Sequence, residues 1–157
     1  MFNLAFGLRD RAAARHLILS AALATTLLLA ATASPAQTLS PSAPGAKVFI
    51  VSPKNGEKVT SPFVVKFGVK GMTIAPAGTK ADNSGHHHLL VDSPVPADLT
   101  KPLPKTEQIL HFGKGETETT LTLPPGKHTL QLLFADMNHI PHSPPVMSRK
   151  ITVTVTQ

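Results

Sequence analysis

The sequence contains no cysteine, no tryptophan and no tyrosine, and seven phenylalanines are its only Phe/Tyr/Trp residues. Without cysteine there can be no disulfide, so the fold must hold by burial alone, and a lipid anchor on a processed N-terminal cysteine is excluded. No apolar run reaches the ~20 residues that a membrane-spanning helix needs. Charge is sparse as well: fifteen Lys and Arg against nine Asp and Glu give +6. The lysines are scattered rather than clustered, with no Tyr or Trp between them, which argues against a nucleic-acid surface.

At the N-terminus, Arg9, Arg11 and Arg15 precede an uncharged Leu/Ala-rich stretch from Leu17 to Ala31. Basic residues, an apolar run of about 15 residues and small residues beyond it form the pattern of a secretory signal peptide. Cleavage is expected after Ala36, with Ala33 as the alternative; an uncleaved anchor would call for a longer run. The expected organisation is a signal peptide over 1–36, a Pro/Ser/Ala linker over 37–46 (QTLSPSAPGA) and a single domain over 47–157. The expected location is the periplasm, with no stable membrane anchor after cleavage. Without the leader, twelve basic face eight acidic side chains, which suits a mildly basic, solvated surface.

From Lys47 onward the pattern is that of short strands. KVFIVS (47–52) is rich in β-branched residues, and Pro53-Lys54-Asn55-Gly56 is a turn. Phe63, Val65, Phe67 and Val69 alternate with Val64, Lys66, Gly68 and Lys70, the period of a half-buried strand. Further strands are expected at 87–92, 109–112, 117–123, 127–136 and 146–156. The proline-rich stretches 93–106 and 137–145 are expected to be loops. No convincing 3.6-residue apolar period follows the leader. About seven strands with turns every 8–14 residues predict an all-β, immunoglobulin-like β-sandwich.

The histidines carry the chemistry. Seven of the eight, His86, His87, His88, His111, His128, His139 and His142, fall in the stretch 86–142. Neutral imidazole is the commonest protein ligand for copper, zinc and nickel. In a strand, His86 and His88 share one face, while His87 joins Leu89 and Val91 on the other, toward the core. Loops cluster at the end of a sandwich, which would allow 86/88 to meet 139/142. The expected metal ligands are therefore His86, His88, His111, His139 and His142, with Asp136 as a direct ligand or a partner of one. Copper is the first choice of metal and zinc the alternative, Met137 near His139 leaning toward copper. Three other uses of histidine stay open: hydrogen-bonded networks without metal, a pH-sensitive surface and, for His128, a corner bond to the backbone.

The stretch from Leu123 onward resembles periplasmic copper-binding proteins of the CopC type, on Pro124-Pro125-Gly126-Lys127-His128-Thr129, Phe134-Ala135-Asp136, His139-Ile140-Pro141 and Ile151-Thr152-Val153. The resemblance implies Asp136 and His139 as copper ligands. That family's N-terminal histidine is missing here, and Met137 and Asn138 separate the Asp from the His. A resemblance covering nearly all of 47–156 is to short exported bacterial proteins catalogued only as a domain of unknown function. It is carried by GHHHLLVD (85–92), LHFGKGETETTL (110–121), PPGKHTLQLLFAD (124–136) and NHIPHSPPVMS (138–148). It implies an exported domain whose histidine strings belong to one site.

No nucleophile elbow, phosphate loop or paired-carboxylate motif is present, and Ser84, His86 and Asp92 lack triad geometry within one strand. The sequence reads as a non-enzyme, with a metal-dependent oxidase on the same histidines as the catalytic alternative. Two functional expectations follow. One is a metal-binding protein, copper first, for carriage, storage or resistance. The other is a non-catalytic structural or interaction module of the cell envelope with a protein partner.

Overall fold

The computed structural model describes residues 38–157, and the expected export segment lies outside them. The described residues form an all-β structure without helices. The ten strands are β1 (Lys47–Ser52), β2 (Lys58–Thr60), β3 (Phe63–Lys70), β4 (Thr73–Ile74), β5 (Ser84–Val91), β6 (Ile109–His111), β7 (Glu118–Leu121), β8 (Gly126–Ala135), β9 (Pro141–Met147) and β10 (Ile151–Thr156). They make two sheets, a three-stranded one in the order β1-β3-β7 and a seven-stranded one built on β2-β10-β8-β5-β4. β6 pairs with β5, and β9 pairs with β8.

The sandwich core lies between the sheets. In β3, Phe63, Val65 and Phe67 are buried while Val64 and Lys66 are exposed, the alternation that the sequence predicts. Across from them stand Leu89 and Val91 of β5, Leu130, Leu132 and Phe134 of β8, and Val153 and Val155 of β10.

β5 departs from a half-buried strand: all eight of its residues are buried. Its second face is covered by the proline-rich chain between Val91 and Ile109. Leu103 and Ile109 pack there on Leu90, Leu133 and Ala135, with Val95 and Leu99 alongside. A face holding two histidines is thereby withdrawn from water.

Three of the ten strands are shorter than the expected pattern resolves or stand where a loop is expected. β2 and β4 have three and two residues. β9 contains Pro141, Pro144 and Pro145, yet pairs with β8 through Leu133–Met147, Phe134–Val146 and Ala135–Pro141. Proline has no ladder N–H and is tolerated on an outer strand, where one side of the chain needs no sheet partner. The segment expected as a linker is also stitched down. Pro41 bridges Ser143, Ser42 N donates to Ser143 O at 3.2 Å, and Ser143 N donates to Ser40 O at 2.9 Å.

Candidate metal centre

Three parts of the chain bring four imidazoles together. His86 and His88 project from the same face of β5, and His88 stands opposite His111 in the β5–β6 register. His139 comes from the turn after β8, where its backbone adopts φ of 66°. That conformation is uncommon for a residue with a side chain, and a set of hydrogen bonds holds it. Asp136 Oδ1 accepts from Asn138 N at 2.8 Å and Ile140 N at 3.0 Å, and Asp136 O accepts from His139 N at 2.9 Å. Ser40 Oγ donates to Asp136 Oδ2 at 2.6 Å. His139 O in turn accepts from Leu103 N at 2.8 Å, which ties the covering chain to the same turn.

The ring centroids lie 4.9 Å apart for His86–His88, 5.0 Å for His86–His111, 5.1 Å for His86–His139 and His88–His111, and 4.7 Å for His111–His139. His88–His139 is the widest separation at 6.1 Å. One nitrogen each from His86, His111 and His139 falls within 4.8 Å of the other two. Such a triangle lies within about 2.8 Å of a common point, against ~2.0–2.1 Å for a zinc–nitrogen bond. A sub-ångström adjustment of each ring closes the difference.

The nitrogens are also without partners. Both of His86, Nδ1 of His88 and Nε2 of His111 are buried and make no hydrogen bond within the protein. A buried polar atom left unpaired costs ~1–3 kcal/mol, so a cluster of them calls for a partner. A metal ion fits this donor set: it accepts lone pairs from neutral imidazoles, and His86, His88 and His111 are each pushed toward the neutral form. Burial, followed by the nearby His111 and His139, pushes His86 down to about 4, with Asp136 opposing. Burial, then the neighbouring imidazoles, pushes His88 to about 3. His111 is lowered by burial, then by His139 and Lys105, with Glu116 opposing.

The other expected ligands stand elsewhere. His142 lies on β9 and stacks on Phe134, with centroids 5.9 Å apart and planes at 20°, and its Nε2–H donates to Ser84 O at 3.1 Å. Pro141 begins β9, so His142 leaves the turn that carries His139. The Asp136 carboxylate organises that turn rather than pointing at the cluster with a free oxygen. His87 faces the sandwich core between Phe67 and Phe134, at 5.3 and 5.2 Å. His128 takes the corner role: its Nδ1 and Nε2 donate to Asp92 Oδ2 at 2.7 Å and Pro124 O at 2.9 Å. Only the imidazolium can donate from both nitrogens, in keeping with its raised pKa, which the Asp92 bond dominates.

Sequence reasoning passed over Gly113. A Cβ there would overlap the His111 ring, so glycine makes room for that imidazole beside the backbone. Gly113-Lys114-Gly115 has the composition of a turn, which by itself does not disclose the ring packed against its first residue. Sequence reasoning also passed over the covering segment Pro102–Lys105, which with His88, His111 and His139 lines a cleft of about 220 Å³.

A model of a family described as a domain of unknown function, DUF4399, matches residues 65–156, more than half of the chain. The chain belongs to the DUF4399 family. The matched span begins inside β3 and contains all four clustered histidines, Gly113 and the covering segment. No curated protein and no solved structure matches the chain.

Proposed function

We propose that this DUF4399 domain binds a divalent transition-metal ion, copper first and zinc as the alternative, through His86, His111 and His139 with His88 beside them. One observation carries the reading: imidazole nitrogens of His86, His111 and His139, from three separate segments, converge on one point, and the buried nitrogens of His86 and His111 have no hydrogen-bond partner. The purely structural reading asks for histidines satisfied by hydrogen bonds. His128 meets that description and the cluster does not; His87 also has both nitrogens unpaired, but its ring lies between Phe67 and Phe134 rather than among imidazoles. The nitrogen-only donor set suits copper and zinc over calcium or magnesium, which take oxygen. Carriage, storage or resistance in the periplasm is the role proposed for an exported domain of this kind, with no catalytic step.

Titration of the purified mature domain with Cu(II) and Zn(II) tests this. Sub-micromolar binding is expected, lost in His86→Ala and His139→Ala and kept in His142→Ala. A ligand that binds only the folded state at a hundredfold excess over Kd adds ~2.7 kcal/mol. At about 4 °C per kcal/mol for a domain of this size, that is a rise of about 10 °C in Tm. An unchanged Tm in excess of either metal sinks the proposal.

A further inference from the structure

Charge and shape around the cluster say something about what else the ion would meet; this rests on the metal reading above. A divalent ion on neutral imidazoles keeps its full charge of +2. Of the two carboxylates that act on the cluster, Asp136 has its oxygens engaged by Ser40 Oγ and by the N–H groups of Asn138 and Ile140, and Glu116 Oε2 accepts from Lys114 N. A positive centre therefore stands with these carboxylates committed to the surrounding backbone and hydroxyl groups, an arrangement that favours an anion from outside on the ion itself.

The fold offers a route for it. The cleft lined by Pro102, Leu103, Pro104 and Lys105 opens on His88, His111 and His139. Its outer wall is held in place by Leu103, which is buried against Leu90 and Leu133 and whose N–H donates to His139 O. Two prolines stiffen the same wall. Lys105 is exposed and adds a second positive charge at this opening. The trio His86, His111 and His139 accounts for three coordination positions, and His88 is set back from His139 by the longest separation in the cluster, 6.1 Å. Three protein nitrogens and an open position are the arrangement that accepts an exogenous ligand.

We propose that the metal-loaded domain binds a small anionic donor directly on the ion, through the Pro102–Lys105 cleft, with Lys105 as the cation that attracts it. The cleft's size limits this to a small inorganic anion or a single carboxylate group.

Azide serves as the probe. The full mature domain is first loaded with Cu(II), and uptake is read from its visible absorption and electron paramagnetic resonance. Azide is then titrated in while a ligand-to-metal charge-transfer band is followed. A saturable band is expected, with the azide Kd rising roughly threefold to tenfold in Lys105→Gln and with added salt, as a screened charge requires. Cu(II) uptake by Lys105→Gln stays intact, since the ammonium is no ligand. A copper-loaded protein that shows no azide band has a closed coordination sphere and overturns this proposal while leaving metal binding standing. An azide Kd unchanged in Lys105→Gln overturns the role of Lys105. Failure to take up Cu(II) at all overturns both this proposal and the one on which it rests.

Discussion

Acidifying the metal-free domain should weaken it steadily from about pH 6.5 downward, before carboxylates begin to titrate. Burial pushes His86 and His87 down to about 4, and burial followed by the neighbouring rings pushes His88 to about 3, whereas each titrates near 6.5 once the chain unfolds. Between those values the unfolded chain binds more protons than the folded one, so stability is full above pH 6.5 and drains away as pH falls toward 4. A pKa unit corresponds to ~1.4 kcal/mol, so each imidazole removes roughly 3 kcal/mol by pH 4 and the three together on the order of 9. That is as large as the whole stability of an ordinary domain. With no Trp or Tyr to report by fluorescence, urea denaturation in chelator would be followed by far-UV circular dichroism at pH 7, 6, 5 and 4. The urea midpoint should fall steadily below pH 6.5, and His87→Leu should flatten the dependence by about a third. A midpoint that holds level between pH 6.5 and 4.5 would refute the claim that these rings are buried and neutral.

Three further outcomes are expected. Gly113→Ala displaces the His111 ring and should weaken metal affinity roughly tenfold without removing any ligand, as measured by competition with a chelator. Asp136→Ala strands the N–H groups of Asn138 and Ile140 and should cost ~2 kcal/mol in urea denaturation, with a loss of metal affinity through His139. The His128–Asp92 pair should be worth most at mild acid pH. Its His128 limb is lost as pH rises through the raised imidazole pKa. In Asp92, burial works to raise the pKa, but the bonds from His128 and Thr129 outweigh it, so that limb is lost only as pH falls through a lowered carboxyl value. A double-mutant cycle on Asp92→Asn and His128→Ala should show coupling at pH 5.5 that shrinks by pH 9.

Much of this was readable from residue order. Period two placed Phe63, Val65 and Phe67 inside and split His87 from His86 and His88. The juxtaposition of His88 and His111 was not readable, because it depends on which strands pair and in what register. Asp136 shows a signal open to two readings: an Asp followed by a tight turn is as much a turn-former, taking the N–H two residues on, as a metal ligand. His142 was grouped with His139 by spacing alone. A strand beginning at Pro141 separates them, and the prolines that argued against a strand there are compatible with an outer one. Burial of the His86/His88 face was equally invisible, since it comes from a segment whose prolines mark it only as irregular chain.

The stitched margin formed by β9 has a consequence for how the molecule behaves in company. Along Pro141–Met147, three of seven residues offer no N–H, and Ser40 and Ser42 already occupy the N–H and C=O of Ser143. A foreign strand arriving at this border finds few donors to zip onto, so runaway sheet extension is discouraged there. For a chain that has no covalent cross-links to keep it from opening, that is protection against self-association written into the border itself.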